Sequence, residues 1–469
     1  MREEEKNIIK NFWIDWIQLF LVGLTAPFFL FPSMQYIWIL FIVPGIWICR
    51  WIVNKIFFER TILDWAIVVL LIQVLSTCII VPDVGFSLPK IAGVLLGLMF
   101  FYSIIGLLNT EKLIKWGILA FLIAGLILSI IGILGIQWDT ADMYSNKIIL
   151  KIEKTIPKIN WTLPGAEERF NSNAIGGTLI LIIPLCLIFF TSYLKRKNES
   201  YFISIRLWPL IYFFIILFVM CSVLVLSLSM GSWIGLAVSI WILLLPWKWK
   251  KWSLLSIILF IALIYMLDTD RNSIHSQSKY NNVFTVDEHY STSGVALMQN
   301  GEFKSSTNAW TLYSEHSGLK MKQIINNFKN GIKKRKALWL VGINTIIQYP
   351  FLGIGMNRIR LLPSVGYKKA HVHNHLLHTA AELGIPGLIA YLAILLAAGY
   401  MCFTIWRKSD IGWMRISALG LGCGQFAHLI FGMADSIPLG AKVGIFFWLS
   451  LGLIAAMYNY MLKRNMDSD

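Results

Sequence analysis

Charge is scarce in this sequence. Of 469 residues, 14% are charged and 57% hydrophobic, where soluble domains carry roughly 25% charged residues. That deficit excludes an ordinary soluble enzyme. Cysteine is also sparse, and Cys49, Cys78, Cys186, Cys221, Cys402 and Cys423 all lie in apolar runs. None has zinc-finger spacing and none sits in the long loops, so they read as small packing side chains. No internal repeat is evident. A cleaved leader is not expected either, because MREEEK followed by a long apolar run reads as an uncleaved first span. The net charge of +16 gathers beside apolar runs and in one loop. That is the pattern of membrane topology, not of nucleic-acid binding.

What is present is a succession of apolar runs long enough to cross a bilayer, which takes about 20 residues each. The sequence predicts an all-α polytopic membrane protein with about twelve spans. They fall near 12–31, 34–53, 62–81, 89–108, 114–136, 173–194, 205–226, 229–247, 252–267, 374–400, 413–434 and 442–462. Every second turn is basic: Arg50, Lys55 and Arg60; Lys112 and Lys115; Lys195 to Lys197; Lys248 to Lys251; Arg407 and Lys408. The positive-inside rule then puts both termini in the cytoplasm and two long loops, 137–172 and 268–373, outside. The expected division is therefore 1–267 with nine spans, 268–373 as a large external loop, and 374–469 with three more.

The large loop is basic. From Gly318 to Ala370 there are eleven Lys and Arg and no Asp or Glu. Apolar residues alternate with lysines over 321–347, which suggests an amphipathic helix on lipid headgroups. Arginine forks match phosphate oxygens in pairs, so Arg335 and Arg358 are better candidates than the lysines for a bound diphosphate. Where this loop meets the tenth span, four of the eight histidines fall within eight residues: His371, His373, His375 and His378. Histidine exchanges protons near neutral pH, and ionisable groups at membrane depth usually mark a site. His371, His375, His378 and Glu382 form one stripe if the helix begins early, a spacing that also suits a metal. His428 and Asp435, near the outer end of the eleventh span, read equally as cavity-lining or as packing and capping residues. Pro44, Pro184 and Pro386 read as helix kinks.

The segment HVHNHLLHTAAELGIPGLIAYL resembles the signature of the O-antigen ligase and polymerase superfamily, a His-Asn pair followed by Glu-x-Gly-x-x-Gly-Leu. ERFNSNAIGGTLILIIPLCLIF, VLSLSMGSWIGL and KRKALWLVGINTIIQYPFLGIG are similar to three further family segments, in the expected order, over about 165–460. The resemblance implies a glycosyltransferase of the C-type membrane fold. Its donor would be a glycan on undecaprenyl diphosphate, its acceptor a lipid core, a growing polysaccharide or a protein, and its place the outer face of the cytoplasmic membrane. It implies no metal and no cofactor, and inversion at the anomeric carbon. In that frame His373 is the expected base and Glu382 a residue that orients a histidine. Arg169, Arg335 and Arg358 hold the diphosphate, while Asn173, Asn374, His371 and His375 are polar contacts. Met230 stands at the family's arginine position in VLSLSMGSWIGL, and a thioether cannot pair with phosphate. Either another cation such as Arg169 or Arg335 replaces it, or the donor differs, or activity is lost. Two readings stay open beside transfer: a catalytically divergent relative and a membrane transporter. The missing repeat counts against the transporter. A metal-dependent polyprenyl-phosphate glycosyltransferase is disfavoured, because the first external turn, 31–34, has no Asp or Glu.

Overall fold

The computed structural model describes residues 2–54, 57–135, 171–195, 203–227, 229–244, 335–362 and 371–468. The chain divides into two compact units. One comprises Met1–Ile136, Ile159–Leu254 and Ala337–Asp469, the other Gln137–Lys158 and Leu255–Lys336. All but Arg335 and Lys336 of the described residues belong to the first. Arg169, the run at 252–267 and most of both long loops lie outside the described residues.

The described elements are helical. They are α1 (Arg2–Leu30), a 3-10 turn (Met34–Phe41) leading into α2 (Ile42–Asn54), α3 (Asp64–Ile80), α4 (Val84–Leu107) and α5 (Glu111–Gly135). Then come α6 (Ser172–Leu179), α7 (Ile183–Lys195), α8 (Ile203–Leu226) and α9 (Met230–Leu244). A helix over 335–348 is α10. The last three are α11 (His375–Lys408), α12 (Gly412–Ala434) and α13 (Ile445–Ser468). Among the described residues, five helical stretches are long and apolar enough to span a membrane: Val84–Leu107, Glu111–Leu134, His375–Lys408, Gly412–Ala434 and Lys442–Met466. α6 and α7 form a sixth such stretch bent by 40°, and four shorter apolar helices accompany them. The protein is a polytopic, all-α membrane protein.

Asx residues set several helix starts by accepting a first-turn backbone N–H. Asp83 accepts from Phe86 N at 3.3 Å, Asn171 from Asn173 N at 2.9 Å, and Asn374 from Leu377 N at 3.0 Å. Pro44 and Pro184 sit in first turns, where a missing N–H costs least: Pro44 is the third residue of α2 and Pro184 the second of α7. Pro184 thereby also stands at the 40° bend between α6 and α7.

α11 is broken within its length. Gly384 has φ 71° and ψ 177°, a conformation essentially reserved for glycine, and Pro386 opens the second half two residues later. Backbone groups freed at such a break must find partners inside the protein. They find them in the turn 350–355. Ile354 N donates to Ala381 O (3.0 Å), Gly355 N to Glu382 O (3.0 Å), and Ile385 N to Pro350 O (2.7 Å). The approach is so close that a Cβ on Gly353 would lie 2.4 Å from the Glu382 carbonyl carbon, and one on Gly384 2.3 Å from Phe351 O. From α3, the Gln73 amide, turned to suit both, donates to Phe351 O and Leu383 O, and Thr77 accepts from Met356 N. From α4, Ser87 donates to Met356 O at 2.7 Å. α11 packs on α3, α12 and α13, while α12 also packs on α7 and α9. The last residue before the break's far carbonyls is Glu382, so this joint fixes the inner end of the histidine-rich turn.

Candidate active site

α11 starts at His375, capped by Asn374, so His371 and His373 belong to the preceding turn and not to a helical stripe. His373 has φ 52°, a left-handed backbone uncommon without glycine. Trp339 of α10 holds that turn by donating from Nε1 to His373 O at 3.4 Å. The two imidazoles stand edge to face, ring centroids 4.7 Å apart.

Both rings reach one carboxylate. His371 Nε2 lies 3.2 Å and His373 Nδ1 3.0 Å from Asp435 Oδ1. Asp435 is the residue that ends α12, and its Oδ1 also accepts from Ser436 N at 2.8 Å. Its Oδ2 accepts from Asn173 Nδ2, on α6, at 3.1 Å. Burial alone would raise the Asp435 carboxyl, yet the hydrogen bonds from His371 and His373, with their charge, outweigh it and hold the group well below the usual carboxylate range. For His371 burial prevails over the raising effect of Asp435, and the imidazole is pushed below its ordinary value. An ionised carboxylate only accepts. In its neutral form His373 donates from Nδ1 to that carboxylate and leaves a lone pair at Nε2, and a neutral His371, donating from Nε2, leaves one at Nδ1.

Deeper along α11 the other two histidines are buried. His378 Nε2 is 3.3 Å from Glu382 Oε2, close enough for a charge pair but not aligned as a hydrogen bond. Neither His378 nitrogen nor His375 Nδ1 has a hydrogen-bond partner among the described residues. The His371 and His378 rings lie 6.4 Å apart, and His375 packs edge-on to Tyr391 at 4.9 Å. His428 on α12 is an electrostatic neighbour of His375, and its Nδ1 lies 2.9 Å from Gly177 O.

Cations follow on from Glu382. The charged neighbours of Lys90, a partly buried residue one turn after Phe86 on α4, are Glu382, Arg360 and Lys442. Arg360 stands 5.8 Å over the Phe86 ring and Lys442 4.0 Å over Phe31. Lys442 is brought there by a tight contact in which a Cβ on Gly440 would lie 1.8 Å from Lys90 O. Asp435, His371, His378 and Glu382 thus follow one another, and Glu382 is an electrostatic neighbour of Lys90, as are Arg360 and Lys442.

Set against the sequence expectations, His371, His373, Asn173 and Asp435 come together, and the histidine beside Glu382 is His378. Asn374 spends its side chain on the α11 cap. Arg358 is partly buried at the 3-10 turn Ile359–Leu361, and Arg335 heads α10 with an exposed side chain. Met230 opens α9, beside Gly231, whose Cβ would meet Ala434 and Phe431 just before Asp435. Lys90, Arg360 and Lys442 were not expected at the site. The sequence signal for Lys90 and Lys442 was a lone cation at the predicted outer end of an apolar run, and for Arg360 its place among the basic residues of the large loop.

Residues 215–392 match the family model described as O-Antigen ligase. Over that stretch the chain is similar to the O-antigen ligase family. The matched stretch includes Met230, the 350–355 turn and the four clustered histidines, whereas Lys90, Asn173, Asp435 and Lys442 lie outside it. No curated protein matches the chain. That similarity supports glycosyl transfer of the ligase or polymerase type in general by a multi-pass membrane protein.

Proposed function

We propose that this protein moves a glycan from a polyprenyl diphosphate carrier, undecaprenyl diphosphate in the bacterial case, to a lipid, polysaccharide or protein acceptor. It does so on the outer face of the cytoplasmic membrane, with both termini inside. The observation that carries the reading is the 3.0 Å pairing of His373 Nδ1 with Asp435 Oδ1, which in the neutral ring leaves Nε2 as a proton acceptor within the stretch similar to the O-antigen ligase family.

In the transfer, an acceptor hydroxyl oxygen attacks the anomeric carbon from the side opposite the carrier, and the bond from that carbon to the diphosphate oxygen breaks. His373 Nε2 takes the hydroxyl proton as attack proceeds, and Asp435 offsets the charge that appears on the ring. The departing diphosphate needs cations rather than an acid. Lys90, Arg360 and Lys442 serve that end of the site, with Arg358 nearby in sequence and Arg169 and Arg335 as further candidates. On this reading the cations replace the arginine that Met230 displaces, the reaction inverts the anomeric centre, and no metal takes part. His371 and Asn173 keep the Asp435 carboxylate in place, and Glu382 sets the charge balance between the histidines and the cations.

The test is transfer in membranes holding the natural donor and acceptor. His373→Ala should lower the rate by roughly 10²–10⁴-fold, the usual contribution of a positioned base. Full transfer by a folded His373→Ala protein would overturn the reading. Met230 favours a second reading, a relative that binds the carrier without reacting. Carrier binding with no transfer by the unmodified protein would select it.

A further inference from the structure

The same turn that presents His373 also gathers a ligand set. One ring nitrogen each of His371 and His373 and an Asp435 carboxylate oxygen all lie within 4.8 Å of one another. Two of the three edges are 3.0 and 3.2 Å. A tetrahedral zinc ion with bonds of about 2.1 Å has ligand-to-ligand edges of about 3.4 Å, so the ion fits with shifts of a few tenths of an ångström on those edges. The chemistry suits a borderline transition metal, because two imidazoles with one carboxylate favour zinc, copper or nickel over magnesium or calcium. The outer groups are also in place. Asn173 fixes Oδ2 at 3.1 Å, and Ser436 N fixes Oδ1 at 2.8 Å, as conserving a ligand's direction requires. The side chains of His371, His373 and Asp435 are 14%, 29% and 8% exposed, so an ion can reach them.

We propose that His371, His373 and Asp435 bind one divalent transition-metal ion, zinc being the probe, and that the bound ion turns off proton transfer at His373. The consequence for His373 follows from its two nitrogens. A metal on Nδ1 needs the lone pair there, so the ring proton moves to Nε2. Nε2 then carries N–H and has nothing with which to accept the hydroxyl proton. Binding is thus an off-switch, not a source of catalysis. The switching rests on the transfer reading given above; the binding does not.

The experiment uses the purified full-length protein, stripped of metal. Zinc is titrated against a chromophoric chelator, and transfer is followed separately with and without the metal. One equivalent of zinc is expected to bind, about tenfold or more weaker in His371→Ala and weaker also in Asn173→Ala, which leaves all three ligands in place. If those variants fail to fold, X-ray absorption on the unmodified protein reads the same point. It should show two imidazoles and an oxygen at about 2.0–2.2 Å. Transfer should run fully in chelator, fall at least about tenfold in saturating zinc and return on chelation. Absence of one-equivalent binding, or a bound ion lacking imidazole ligands, would overturn the site and leave the transfer reading standing. Zinc binding with undiminished transfer, or transfer that needs zinc, would overturn the switch. A metal-free protein that never transfers counts against the proposed function alone.

Discussion

Asp435→Asn isolates the charge of the carboxylate from its shape. The carboxylate receives His371, His373 and Ser436 N on one oxygen and Asn173 on the other. An asparagine can keep the first three by turning its oxygen toward them. Its NH2 then faces Asn173, whose own amide can turn over to accept. Few buried polar groups lose a partner, so the fold should hold. What is lost is the negative charge opposite the imidazolium that forms as the hydroxyl proton arrives. Two unit charges some 4 Å apart interact by about 4 kcal/mol at an effective dielectric of about 20. With about half of the charge developed at the transition state, the loss is about 2 kcal/mol, or roughly 30-fold in kcat. KM should change little, because Asp435 faces the base and not the substrate in this reading. The assay is glycan transferred per unit time in membranes with saturating donor, beside thermal unfolding of the purified variant. A folded Asp435→Asn protein that transfers within about threefold of the parent would refute the pairing as the source of base strength.

The α11 break gives a stability prediction. Gly384→Ala introduces a Cβ 2.3 Å from Phe351 O in a backbone region closed to alanine, so a cost of about 3 kcal/mol or more is expected, read as a lowered unfolding midpoint in detergent. Lys90→Gln keeps length and a hydrogen-bonding end but removes charge. It should reduce transfer by roughly 10–100-fold, the scale of a hydrogen bond to a charged group, while leaving zinc binding at His371 and His373 unchanged. Asn374→Ala should cost about 1 kcal/mol through the lost cap, and Asn374→Asp should restore both stability and transfer. Transfer that stays low in a stable Asn374→Asp protein would show that the amide meets the substrate.

The helical architecture was legible because apolar runs are local signals, and the described helices other than α10 fall on the predicted runs. The joint inside α11 was not. GIPG reads as a packing glycine and a kink, and nothing in it announces that the turn at 350–355, some thirty residues earlier, completes its hydrogen bonds. The histidines were found by clustering, yet their grouping was misread. A stripe from His371 through Glu382 assumes a helix that in fact begins at His375. Asp435 was visible only as one acid at a helix end, read equally as a cap. The 62-residue separation from His373 carries no sequence signal. Lys90 was hidden for a different reason. A lysine after Pro89 looks like the start of a span, whereas α4 begins at Val84 and places it within the helix.

The way the 350–355 turn is stitched to α11 has an evolutionary side. Three of its ties join main chain to main chain, so they are indifferent to side-chain identity provided glycine stays at 353, 355 and 384. Substitution elsewhere in that stretch leaves the seam closed, but inserting or deleting one residue would put every tie out of phase. Length changes in a family built this way should therefore collect before residue 335, where new acceptors can be accommodated while the histidines keep their footing.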